Sequence, residues 1–227
     1  MPRAIALIPA RAGSTRAKNK NFRMFNGTSL TEMAIIVAKQ AGFFTHVILS
    51  TDSRQGADLA RRHQVYLHER SSFASSNEAT ATDVLWGIVD LLRDLQTTSE
   101  DYIFYLQPTS PRRDSQMLAY AWERLKKSKE DGIVSVTAVD SKYSKVMKIR
   151  AGRLSSDWGE QTVVANHQSL EPLFIANGNV FAFRLGLFEE KGTFPILGLS
   201  PLIQESRLSL DIDSEEELHS FFSQQKN

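Results

Sequence analysis

Cysteine is missing altogether from the 227 residues, which excludes disulfides, cysteine-ligated zinc, iron–sulfur clusters and thiol catalysis. The chemistry must therefore run on oxygen and nitrogen. No window approaches the roughly 20 apolar residues needed to span a bilayer. The first apolar run is interrupted by Pro9 and Arg11 and has no secretory core, so a cytoplasmic protein without membrane contact is expected. Neither sign of charge is in excess: 27 basic against 26 acidic residues leave +1, and a surface that coats nucleic acid is not expected. No G-x-x-x-x-G-K-[ST] occurs, no G-x-G-x-x-G follows the first strand, and no G-x-S-x-G elbow is found. The histidines, His46, His63, His68, His167 and His219, lack close metal-ligand spacing.

What is present is ordinary in bulk, with 41% hydrophobic and 23% charged residues, and suits one α/β domain over residues 1–227. Short β-rich runs at 3–9, 46–50, 65–68, 102–106 and 133–139 alternate with amphipathic stretches at 30–41, 53–63, 82–95 and 117–127. That alternation predicts a mainly parallel, doubly wound sheet with helices on both faces, whose ligands sit beyond the carboxyl ends of the strands. After Val139 the texture changes. Runs at 145–149 and 153–158 flank Ala151-Gly152 as a hairpin, and the segment at about 140–176 reads as an inserted β-rich arm, a lid or a dimerisation element. Strand character resumes at 178–184, and Ser214 with Glu217 offers a capping box for a last helix bearing Leu218, Phe221 and Phe222.

Charge is local rather than global. Arg3, Arg11, Arg16, Lys18, Lys20 and Arg23 all precede the first acidic residue, Glu32. Gly13 and Ser14 let backbone N–H groups of the same loop approach an anion. Near the other end, Asp211-Ile212-Asp213 lies in an extended run, and alternation puts both carboxylates on one face. Oxygen pairs of this kind suit Mg²⁺. A cationic loop and a carboxylate pair together predict a Mg-nucleotide enzyme.

Segments 8–21 (IPARAGSTRAKNKN), 106–112 (LQPTSPR), 177–181 (NGNVF) and 210–213 (LDID), with LSTD at 49–52, occur in an order and spacing that resemble the acylneuraminate cytidylyltransferases. The resemblance spans almost the whole chain. It implies a nucleotide-sugar transferase fold and a homodimer whose arm completes the neighbouring pocket. It also implies CTP, a 2-keto sugar acid of the sialic or legionaminic type, and Mg²⁺. Carried over by motif, Arg11, Ser14, Lys20 and Asn21 hold CTP, and Arg70 with Thr80 and Thr82 contact the nucleoside. Ser71, Ser72, Ser75 and Ser76 between them read as a flexible polar loop. Gln107 and Asn177 touch the sugar, with turn formation as their alternative. Lys145 and His167 face its carboxylate, His167 standing where relatives carry arginine, which points to an altered sugar preference. Asp211 and Asp213 hold the metal, and Arg11, Lys20, Asp211 and Asp213 are the catalytic set. A Kdo-activating synthetase and an inactive nucleotide-sugar binding module are the alternatives.

Overall fold

The segment Ala4–Pro9, AIALIP, is apolar throughout, and Ala4 to Ile8 are fully buried, as a strand covered on both faces requires. It is β1 of a computed structural model that describes residues 1–13, 17–71, 73–76, 78–128 and 130–224. The chain continues through α1 (Leu30–Ala41), β2 (Phe44–Thr51), α2 (Arg54–His63), β3 (Tyr66–Glu69), α3 (Ala81–Gly87), α4 (Val89–Asp94), β4 (Tyr102–Tyr105), α5 (Ser115–Ser128) and β5 (Gly132–Val139). It ends with β6 (Lys148–Arg150), β7 (Arg153–Ser155), α6 (Glu160–Val164), β8 (Leu173–Arg184), α7 (Leu185–Lys191), β9 (Ser200–Gln204) and α8 (Glu215–Gln224).

Seven strands form one sheet in the order β3-β2-β1-β4-β8-β5-β9, and β6 pairs β7 as a separate hairpin. The pairings of β1 with β2 and β4, β2 with β3, and β5 with β9 are parallel, whereas β8 runs antiparallel to both neighbours. The expected mainly parallel, doubly wound sheet is therefore present with one reversed strand inside it. Alternation along β1 divides the core: Ala4, Ala6 and Ile8 pack with Ile35 of α1 and Trp122 of α5, while Ile5 and Leu7 pack with Leu85 of α3, Leu92 of α4 and Phe188 of α7. A third cluster joins Leu30, Ile212, Leu218, Phe221 and Phe222, fastening α8 to α1.

Several elements differ from expectation. The helix foreseen over 82–95 breaks at Ile88 into α3 and α4, next to Gly87, which lies against the His68 ring and whose backbone is the least helix-favouring of the ordinary residues. β8 begins at Leu173, five residues before the foreseen 178. The short α7 and β9 carry no clear period, and Pro201 in β9 fits an edge strand. The hairpin turn is Ala151-Gly152, φ 49° and 74°, two positive values that suit a tight two-residue turn. No helix among the described residues is long and apolar enough to cross a membrane.

Candidate active site

From β1 the chain winds outward to β2 and β3, then returns to β4 on the other side of β1. Such a switch point opens a crevice beyond the carboxyl ends of the strands. A cavity of about 620 Å³ lies there, bounded by Pro9 at the end of β1, Tyr105 at the end of β4 with Gln107 beyond it, and Arg11, Lys20, Asn21, Arg70, Thr80, Asp211 and Asp213. Its volume suits a small-molecule ligand.

The loop after β1 is held by the backbone. Ala12 N donates to Asp52 Oδ1 at 2.7 Å, and the Asn21 carbonyl accepts from Thr31 N at 3.0 Å and Thr31 Oγ1 at 2.8 Å. Asn19 takes φ 55° at the bend, a conformation asparagine tolerates better than most residues. Arg11 donates to the Ser76 carbonyl at 2.8 Å. Asn21 Nδ2 donates to the Arg11 carbonyl at 3.1 Å, while its buried Oδ1 meets no donor among the described residues. Ser14, Arg16 and Ser72 lie outside the described residues. Lys18 is exposed, does not line the cavity, and gives its backbone N–H to Glu215.

Lys20 is nearly buried, and its Nζ donates to the Ile212 carbonyl at 2.7 Å and Asp213 Oδ1 at 2.8 Å. Residues 210–213 are extended without joining the sheet, and Ile212 N donates to the Thr109 carbonyl at 2.8 Å. Ile212 is sunk in the α8 cluster, so Asp211 and Asp213 both face the cavity, as alternation foresaw. Enclosure by the cavity wall pushes the Asp211 carboxyl up, the Thr109 hydroxyl lowers it, Asp213 raises it and Lys20 opposes, with a net rise. The Ser214–Glu217 capping box is present: Ser214 N and Asp213 N donate to Glu217 Oε2 at 2.9 Å, and Glu217 N donates to Ser214 Oγ at 3.2 Å.

On the floor of the cavity, Arg70 Nε donates to the carbonyl and hydroxyl of Ser50, each at 3.1 Å. Burial lowers the Arg70 guanidinium from its ordinary value, with Tyr105 and Asp52 opposing. Burial pushes the Tyr105 phenol up to about 12, so it remains a neutral hydroxyl group at neutral pH. Thr80 lines the cavity and also caps α3 through a reciprocal pairing with Asp83. Thr82 does not line it; its hydroxyl meets Thr193 and accepts from Phe194 N at 2.9 Å.

The NGNVF segment forms a bulge. Val136 of β5 pairs with Ala176 and Val134 with Phe181, leaving Asn177–Gly178–Asn179–Val180 opposite Ser135 alone. Bulges beside active sites re-aim the chain, and this one brings Gly178, φ 78°, against Ser110 and Gln107. Asn177 turns inward. Its Oδ1 accepts from Ser135 Oγ at 2.6 Å and Asn179 N at 3.2 Å, and its Nδ2 donates to Thr137 Oγ1 at 3.1 Å and Gln204 Oε1 at 2.9 Å. An amide has two acceptor and two donor positions, all used here, so the expected sugar contact is replaced by a role inside the bulge. Arg113 ties the same parts: NH2 donates to the Gln107 carbonyl at 2.9 Å and NH1 to the Asn179 carbonyl at 3.2 Å. Burial pushes this guanidinium down to about 9, and no carboxylate among the described residues pairs with it.

Lys145 and His167 are not brought to the cavity of their own chain. Lys145 Nζ donates to the Ala165 carbonyl, and His167 Nε2 lies 3.2 Å from Asp140 Oδ1, both within the segment 140–167. The Lys142 backbone amide, then its side chain and His167, hold the Asp140 carboxyl far below the usual carboxylate range. Sequence reasoning gave no role to Tyr105, Thr109 or Asp52. LSTD and QPTSP contain the latter pair, whereas Tyr105 carried no signal beyond its strand position.

Fixed cations facing a carboxylate pair across a switch-point cavity define a nucleotidyltransferase. The family profile described as Cytidylyltransferase matches residues 5–179, and the chain belongs to that family and is an enzyme of it. It is 31% identical over 219 residues to a CMP-N,N'-diacetyllegionaminic acid synthase of Legionella pneumophila, covering 93% of this chain and 91% of that protein. It is 26% identical to an N-acylneuraminate cytidylyltransferase of Streptococcus agalactiae, spanning 96% of this chain and 53% of that longer protein. A solved CMP:2-keto-3-deoxy-manno-octonic acid synthetase complexed with CTP shares the fold, with TM-score 0.71, 13% identity, and coverage of 99% of this chain and 98% of that one.

Proposed function

We propose that the enzyme transfers CMP from CTP to the anomeric hydroxyl of a nonulosonic acid, releasing pyrophosphate. The observation that carries this is the meeting, in one cavity, of Arg11, Lys20 and Arg70 with Asp211 and Asp213, beside Gln107. The relatives named for legionaminic and acylneuraminic acids support a sugar acid of that group over Kdo, since the Kdo-synthetase likeness rests on the fold alone.

In this reading Arg11 and Lys20 bind the triphosphate, where fixed cations stabilise the charge that builds on the α-phosphate and the leaving pyrophosphate. Asn21 Oδ1, a buried acceptor open to a ligand donor, and Arg70 hold the nucleoside. Gln107 orients the sugar so that its hydroxyl attacks the α-phosphorus, and the hydroxyl proton leaves toward the carboxylate side of the cavity. Mg²⁺ fits the donor set: Asp211 and Asp213 both line the cavity, and Mg²⁺ is commonly held by one or two carboxylates together with substrate phosphates. Asp211 and Asp213 would hold it, and it supplies charge neutralisation at the phosphates.

The arm carries exposed Ile149, Leu154, Trp158, Val164 and Ile175. A second copy covering this apolar face is our reading, with Lys145 and His167 offered to the partner's sugar, in a cytoplasmic homodimer. Pyrophosphate release is the test, run with Mg²⁺ and CTP against N-acetylneuraminic acid, a diacetylated legionaminic acid and Kdo, with ATP, GTP and UTP as controls. Release with CTP and a nonulosonic acid is expected. Release only with Kdo, or none with any sugar, refutes the reading.

A further inference from the structure

Arg70 pairs with no carboxylate among the described residues; its guanidinium Nε is shared between the carbonyl and the hydroxyl of Ser50, which is fully buried, and NH1 makes only a long contact of 3.4 Å to the Ala74 carbonyl. A single carbonyl lets the guanidinium plane roll about the N–H···O line, and a second acceptor on the same N–H restricts that roll. Serine supplies the second acceptor only if its own proton points elsewhere, and in a buried site that proton needs a partner. His68 Nδ1 stands 3.0 Å from Ser50 Oγ. For Nδ1 to accept, the ring must carry its proton on Nε2, the side of the ring that faces the Gly87 backbone. The α3–α4 break at Ile88 falls beside Gly87, and an added Cβ there would make ordinary contact with the ring, 3.4 Å from His68 Cε1 and 3.9 Å from Nε2.

We propose that His68 is a positioning residue for nucleotide binding, acting through a directed hydrogen-bond chain in which Arg70 Nε–H donates to Ser50 Oγ, Ser50 Oγ–H donates to His68 Nδ1, and His68 Nε2–H donates to the Gly87 carbonyl. Every donor points away from the cavity, so the neutral ring at one end fixes the attitude of the cation at the other. Burial lowers the ring's proton affinity, the Gly87 backbone opposes this and the charge of Arg70 adds to it, with a net fall, in keeping with a neutral ring. The proposal rests on the reading of the cavity as a CTP site.

The test uses the full chain and two readouts. Nitrogen-15 NMR of the free protein should find His68 protonated on Nε2 alone and Arg70 Nε–H slow to exchange, with faster exchange in Ser50→Ala. Calorimetric titration with CTP then compares variants. His68→Asn, whose amide oxygen reaches the place of Nδ1, should stay within about twofold of the unaltered protein, whereas His68→Gln and Ser50→Ala each weaken binding about tenfold, the scale of one hydrogen bond to a charged group. The double variant Ser50→Ala/His68→Gln should be no weaker than either single one, because the chain acts as a unit. Unaltered CTP affinity in His68→Gln, or a proton on Nδ1, overturns the proposal. If the unaltered protein binds no CTP, the functional reading fails, and the ring tautomer with the Arg70 exchange rate still decides the hydrogen-bond chain.

Discussion

Replacing Gly178 by alanine tests how the β8 bulge shapes the cavity. Gly178 has φ 78°, and a Cβ there would lie 2.3 Å from Ser110 Oγ, 3.5 Å from Ser110 Cβ and 3.3 Å from Gln107 Oε1. The left-handed backbone costs alanine about 1 kcal/mol. Overlap with a fully buried hydroxyl adds about 2 kcal/mol, within the range for overpacked cores. A loss of about 3 kcal/mol corresponds to a fall of roughly 6–12 °C in Tm for a domain of this size. Ser110→Ala separates the two contributions. Ser110 Oγ is buried and finds no hydrogen-bond partner among the described residues, so its removal alone should cost less than about 0.5 kcal/mol. The double variant, freed of the overlap, should recover to a loss of about 1 kcal/mol, leaving the backbone cost. Denaturant unfolding of the four proteins measures this cycle. Kinetics supply the functional half: the alanine methyl still crowds Gln107, so KM for the sugar acid should rise while KM for CTP stays put. A double variant as unstable as Gly178→Ala would refute the overlap argument, and a rise in KM for CTP instead would remove Gln107 from the sugar side.

Asp211→Ala and Asp213→Ala should each lower turnover by at least about a hundredfold, the scale for losing one electrostatic partner of the transition state, and raise the Mg²⁺ concentration needed for half-activity; circular dichroism should be unchanged because Ile212, which anchors the segment, is untouched. Asp101 accepts from Arg3 N at 2.7 Å and from the Arg3 guanidinium; burial raises its carboxyl, but Arg3 and the Thr98 amide outweigh this and the net shift is downward. A depressed carboxyl stabilises the fold above its unfolded pKa and loses that contribution as pH falls through its folded one. Asp101→Asn should therefore cost about 2 kcal/mol at pH 7, with the gap closing below about pH 4, as read by urea unfolding across pH. Leu154→Asp, on the exposed arm, should shift sedimentation toward the monomer and lower activity, whereas an unchanged dimer would remove the hairpin from the interface.

The strands and helices of the first half were legible because their burial is periodic. β1 is apolar at every position and feeds both layers, and α1 repeats buried Leu30, Ala34, Ile35 and Ala38 at helical spacing. Beyond Val139 the pattern fails for stated reasons. β8 is reversed and bulged, so its inward residues do not alternate through 177–180, and α7 has only seven residues, two turns of helix without room for a period to establish itself. The split of 82–95 was hidden because the ring that Gly87 lies against, His68, comes from a separate element, β3. Local propensity marks Gly87 as weak but does not say what it serves.

For the site, motifs marked the neighbourhood better than the orientation. Arg11, Lys20, Asn21, Arg70, Thr80, Gln107, Asp211 and Asp213 meet in one cavity as expected, while Asn177 and Thr82, from segments equally suggestive in sequence, face away from it. The difference lies in what else each side chain can satisfy. Asn177 sits in the bulge between β5 and β8, and its four hydrogen bonds go to the Asn179 backbone N–H and to the side chains of Ser135, Thr137 and Gln204. An asparagine so engaged cannot also read a ligand, since each further bond would expose a buried partner at a cost of about 1–3 kcal/mol. Asn21 is the converse: one end of its amide holds the Arg11 carbonyl while its buried Oδ1 has no donor among the described residues. A buried acceptor left open at a cavity wall is stable only if a ligand or water completes it, and cytosine carries an exocyclic amino group that can. Where two asparagines carry equal weight in sequence, the count of satisfied hydrogen bonds separates the residue whose amide is fully used within the fold from the one left able to meet a ligand.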